Sequence, residues 1–119
     1  MDDAVLAGYE WFTPRSRGNL HNVALLRPNG WGLFDLLGNA TEWCDDLQTS
    51  YRHPVNSYVH DDAGGNQNLP KPTDKCVIRG ASATSLADKL RAANRSYQWI
   101  DYHNPVTGFR VARTVRPKL

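Results

Sequence analysis

Apolar positions fall into short groups separated by turn-forming residues, with no long amphipathic run. Residues 4–12, AVLAGYEWF, are an apolar opening compatible with a helix or a short strand, and the Pro and Gly of TPRSRGN close it. HNVALL (21–26) reads as a short strand, and RPNGWG as a turn with an Asn-Gly signal. LFDLL (33–37) predicts about one helical turn that stops at Gly38-Asn39. ATEWC then alternates, with Ala40, Glu42 and Cys44 on one side and Thr41 and Trp43 on the other, which predicts an extended segment.

Residues 45–75 are polar. DDAGGNQNLPKPTD holds Gly-Gly, two Pro and no apolar period, and predicts a loop. A loop this long in so short a chain is expected to be functional, mobile or an insertion. KCVIRGAS (75–82) predicts a strand followed by a small-residue break. SLADKLRAANRS stays open: Leu86 and Leu90 have helical spacing, yet LRAANR also suits a strand. TGFRVARTV (107–115) alternates as a strand. The pattern predicts an α+β domain of short antiparallel strands with much loop, a single domain over residues 1–119.

The chain's 119 residues suffice for one modest core, and 40% apolar with 22% charged residues is ordinary for a globular domain. No run of about 18 apolar residues exists, so no membrane partner is expected. The acidic opening MDDAVLAGYEW lacks an apolar signal core, which points to a cytoplasmic chain or one cut from a longer precursor. Charge divides unevenly, −3 over residues 1–60 and +5 over 61–119. Arg79, Arg91, Arg95, Arg110 and Arg113 lie inside apolar segments rather than in a basic run, so nucleic acid is not an expected partner. Cys44 and Cys76 form no C-x-x-C pair; one bridge between them is open in principle, and two buried free thiols are expected in a cytoplasmic chain. His21, His53, His60 and His103 are scattered, without the two-His-one-carboxylate context of a non-haem iron site.

WGLFDLLGNATEWCDD (31–46) packs two Trp, a Phe and three Leu around four carboxylates. On the residues alone, Asp35 can cap a turn and Glu42 can pair with an arginine. Four ordered pieces, NGWGLFDLLGNATEWCDD, VIRGAS, LRAANR and GFRVAR, resemble the C-terminal half of the formylglycine-generating enzyme (sulfatase-modifying factor) family over about residues 25–115. The resemblance implies a C-type-lectin-like fold. It also implies a structural calcium ion held by the side chains of Asp35 and Glu42 and the backbone carbonyls of Gly38 and Ala40. Calcium takes six to eight hard oxygens, two carboxylates neutralise it, and waters complete the shell. Trp31, Phe34, Leu37 and Trp43 are then expected to bury the loop's other face.

The chain departs from the catalytic pattern. Catalytic members oxidise a substrate cysteine with a copper-binding cysteine pair between R-G-G-S and R-x-A-x-R. Here that interval is ATSLADKL (83–90), with Ser85 and Ala87 near the expected positions and no thiol. Copper(I) needs soft thiolates, so neither copper nor formylglycine generation is expected. In the related variable proteins of diversity-generating retroelements, the same fold displays diversified residues in this region. The corresponding stretch, SYQWIDYHN, predicts a ligand surface of Tyr97, Trp99, Asp101, Tyr102, His103 and Asn104, with the 61–74 loop beside it. The alternative is that Tyr97 and Trp99 pack the sheet. Family domains are usually about twice this size. The expectation is therefore a non-catalytic, calcium-stabilised binding module. Its ligand is an unspecified protein or small molecule, and the chain is a fragment, a subunit completed by a partner chain or oligomer, or a minimal lectin-like domain. The rival is a fragment or subunit of an oxidoreductase whose other half supplies the chemistry.

Overall fold

Asp2 starts helix α1 (Asp3–Leu6) by accepting the Ala4 amide on its side chain at 2.9 Å, as an N-cap should. The helix is one turn long in the computed structural model, which describes residues 2–48 and 71–113. Leu6 is its buried residue, and it joins Phe12, Ala81 and Leu90 in a small core against which Ala7, Leu37 and Ala87 also pack. That core is assembled almost wholly from loops.

Among the described residues four strands form one sheet: β1 (Thr41–Leu47), β2 (Lys75–Arg79), β3 (Arg95–Trp99) and β4 (Thr107–Phe109), in the order β3-β2-β1-β4. β2 lies inside the sheet, and its run Cys76, Val77, Ile78 is buried at all three positions. An apolar run without alternation is what a strand covered on both faces requires. β1 and β3 flank it antiparallel, pairing Glu42 with Arg79, Trp43 with Ile78, and Val77 with Tyr97. The β1–β2 register slips between Trp43 and Leu47, where β1 carries extra residues. β4 runs parallel to β1, Trp43 opposite Phe109, a pairing that a purely antiparallel expectation misses.

Several local expectations need correction. Residues 21–26 form turns and bends rather than a strand, and Ala24 takes a left-handed φ of 61°. The segment is held instead by side chains: Asn39 bonds both the amide and the carbonyl of His21, and Asp35 accepts the Ala24 amide. Residues 33–37 make bends, not a helical turn, because Asp35 has φ 51°. SLADKLRAANRS resolves into a short 3-10 turn at Ala87–Lys89 and then turns, with β3 starting at Arg95. The first three residues of the expected 45–75 loop belong to β1, and residues 49–70 of it lie outside those described. β4 ends at Phe109, well short of the predicted 107–115.

Candidate functional site

Two features of the sheet carry the candidate site, one beside β1 and one on β3. The first is the 35–42 segment. Leu37 and Asn39 accept the amides of Ala81 and Ala83 at 3.0 and 2.7 Å on their carbonyls, which ties the segment before β1 to the residues after β2. Asn39 (φ 66°) also donates its amide to Trp11 and exchanges two side-chain bonds of 3.0 Å with the His21 backbone. His21 then stacks on Trp11, ring centroids 3.7 Å apart. Gly38 is required by space: a Cβ there would sit 2.7 Å from the Trp11 carbonyl oxygen. At Gly80 (φ 76°) a Cβ would sit 3.5 Å from the Leu36 carbonyl oxygen and 3.8 Å from that of Ala40.

Asp35 is 7% exposed. Its Oδ2 accepts the Ala24 amide at 2.8 Å, and its Oδ1 is buried with no hydrogen-bond partner among the described residues. Glu42 is engaged differently. Arg110 donates from Nε to both carboxylate oxygens at 3.0 Å and from Nη2 to Oε1 at 2.6 Å. The same Nη2 reaches the carbonyl oxygens of Phe34 (3.0 Å) and Asp35 (3.3 Å). The Glu42 bond, against the opposing effect of burial, holds the Arg110 pKa above its ordinary value. The guanidinium thus gathers a carboxylate and two carbonyls around one positive charge, as a bound cation would.

Tested against calcium, the donor set fits in part. The orphaned Asp35 oxygen, buried where a carboxylate needs a partner, fits a hard cation. The carbonyls of Gly38 and Ala40 accept none of the Ala81 and Ala83 bonds that occupy their neighbours. Glu42 would have to share its carboxylate with Arg110. Among the described residues no group of three or more His, Cys, Asp or Glu side chains is placed to hold a metal, so a cation here relies on backbone oxygens.

Sequence reasoning missed Glu10 and Arg110. Glu10 is buried, and burial raises its pKa while the amides of Leu37 and Gly38 oppose that rise. Its Oε2 has no partner among the described residues. Glu10 gave no signal, being one acid in an apolar stretch; Arg110 was visible in the G-F-R element but read only as part of a strand. Trp31 contradicts its expected packing: it is 84% exposed. The Asn29 side chain accepts the Trp31 and Leu33 amides and Gly32 takes φ 78°, so the Asn-Gly turn directs Trp31 into solvent. Phe34, Leu37 and Trp43 are half-buried.

The second feature is the face of the edge strand β3. Arg95, Tyr97 and Trp99 alternate onto one side of it. Tyr97, Trp99 and Tyr102 are 43, 47 and 49% exposed, so Trp99 stands at the surface rather than in the core. Lys75, directly across from Trp99, places its Nζ 4.3 Å from that ring's centroid, and the Arg95 guanidinium carbon lies 5.8 Å from the Tyr97 ring. Asp101 and His103 are exposed in the following turn. Asn104 is half-buried, and its side-chain oxygen accepts the Val106 amide at 2.9 Å. Of the 61–74 loop expected beside this surface, residues 61–70 lie outside those described.

The interval implied for copper holds no thiol. Ala87 packs on the core and the Ser85 hydroxyl accepts the Ser82 amide. Cys44 and Cys76 are free, on β1 and β2, and burial raises both thiols above the ordinary range.

A family model for the sulfatase-modifying factor enzyme 1-like domain matches residues 2–115. The chain belongs to this family. It is 32% identical over 88 residues to serine/threonine-protein kinase pkn1 of Chlamydia pneumoniae, covering 74% of this chain and 14% of the kinase. It is 37% identical over 87 residues to Pkn1 of Chlamydia trachomatis serovar L2, covering 71% of this chain and 13% of that one. Among solved structures it is similar to Treponema denticola variable protein 1, with TM-score 0.68 and 26% identity over 91% of this chain and 37% of the other. It is similar in fold to CarF, with TM-score 0.57 and 18% identity over 82% of this chain and 29% of that chain. These likenesses make the fold C-type-lectin-like. No helix among the described residues is long and apolar enough to cross a membrane.

Proposed function

We propose that this family member is a non-catalytic binding module whose ligand surface is the exposed face of β3 and the turn after it. The observation that carries the reading is the exposure of Tyr97, Trp99 and Tyr102 on a hydrogen-bonded platform. Rigid aromatic rings offer contact area at small entropic cost, and Asp101, His103 and Asn104 add hydrogen-bonding groups. Lys75 and Arg95 beside the rings make the surface cationic as well as aromatic. The likeness to a variable protein supports a second form of the same reading, in which these residues are diversified by a retroelement. A template repeat beside a reverse transcriptase in the neighbouring genes would support that form; an adjacent sulfatase would favour the rival oxidoreductase subunit.

The non-catalytic part rests on the missing thiol pair in residues 83–90. Incubation of a Cys-x-Pro-x-Arg peptide with the chain and copper(I) should leave the peptide mass unchanged. Conversion of its cysteine to the aldehyde would contradict the reading.

Calcium belongs to the proposal as a structural ion. Asp35, Gly38, Ala40 and Glu42 would hold it, and its charge would neutralise the buried Asp35 oxygen. Binding only the folded chain raises stability by mass action. The melting temperature should therefore rise in calcium relative to chelator. Equal values, with no calcium found by metal analysis, would leave Arg110 as the cation that organises the loop. The free thiols support a cytoplasmic setting. The apolar side chains left at the surface support a partner chain or second copy that completes the domain.

A further inference from the structure

On the far side of α1 from the core, a cleft of about 640 Å³ opens between the helix and the 25–27 segment. Val5, Gly8 and Leu25 line it with apolar surface, Val5 and Leu25 being more than half exposed, and Tyr9, Arg15 and Arg27 bring the polar groups. Among the described residues no acid lines it. Both walls are fixed. The Arg27 amide donates to the Gly8 carbonyl at 3.1 Å, and the Ala24 bond to Asp35 sets the bend that leads into Leu25. Arg15 rests over the Trp11 ring at 5.2 Å, itself stacked on His21. Neither Arg15 nor Arg27 forms an ion pair with a described acid. Two guanidiniums without an ion pair among the described residues, beside an open apolar surface, complement an anion on an apolar body, and the volume is that of a small-molecule site.

We propose that this cleft binds a small amphipathic carboxylate, with the carboxylate between Arg15 and Arg27 and the apolar part over Val5, Gly8 and Leu25. Nothing in the ligand surface on β3 requires it. The test uses the intact chain, titrated with octanoate and separately with 1-octanol, followed by amide resonances in NMR. Octanoate should shift the Gly8 and Arg27 amides and bind at least about tenfold tighter than octanol. In the doubly substituted Arg15→Gln, Arg27→Gln chain that preference should vanish while amides of the sheet keep their positions. Both arginines are exposed, so the fold should survive the change. Equal binding of the two ligands, shifts elsewhere, no binding of octanoate, or unchanged affinity in the variant would each overturn the proposal. A Leu-Leu-Asp peptide that shifts the same amides at lower concentration than octanoate would also overturn it, assigning the cleft to a protein partner.

Discussion

At the scale of single residues, the 35–42 segment is shaped by contacts that its own composition does not display. Gly38 is not needed for an unusual φ; it is needed because the Trp11 carbonyl occupies the place of its side chain. Gly38→Ala should therefore destabilise the chain by about 1–3 kcal/mol, since backbone on both sides has to move. Urea melts check this, and an unchanged midpoint would show that the approach of Trp11 is not as close as drawn. Asn39 acts as a knot: its side chain pairs with the His21 backbone as a strand would, and its own backbone joins Trp11 and Ala83. Such a role is unreadable from the sequence, because nothing local announces that residue 39 will meet residue 21.

At the scale of elements, Arg110 ties three pieces together: β1 through Glu42, the 34–35 bend through two carbonyls, and the end of β4 that carries it. Arg110→Gln should cost about 1 kcal/mol, the modest value of a partly exposed pair. It should also free Glu42, so the variant's melting temperature should respond to calcium more than the parent's does. An identical calcium response in both chains would show that Glu42 is not a shared ligand. Legibility followed how local the cause was. The alternation of ATEWC and the apolar run of CVI announced β1 and β2, because side-chain period is fixed by the strand itself. HNVALL failed because Ala24 and Asp35 bend the chain through long-range bonds that override strand propensity. The parallel placement of β4 was equally hidden, since pairing direction is set by how residues 100–106 return to β1.

At the scale of the whole molecule, a sheet with one central buried strand and a loop-built core carries a largely buried polar loop at 35–42 and an exposed aromatic face on β3. The proposed calcium donors were legible only through family resemblance, and the structure divides them: Asp35 is buried with one oxygen unpartnered among the described residues, and Glu42 is held by Arg110. The β3 face was legible as a choice between packing and contact residues, and burial decides that Trp99 is at the surface. The account stands on that face being spare to the fold. Trp99→Ala, followed by denaturant unfolding, measures it directly. Loss of one exposed ring and its Lys75 contact should cost no more than about 1 kcal/mol. A loss of about 3–5 kcal/mol, the cost of emptying a core site, would contradict the binding-surface account.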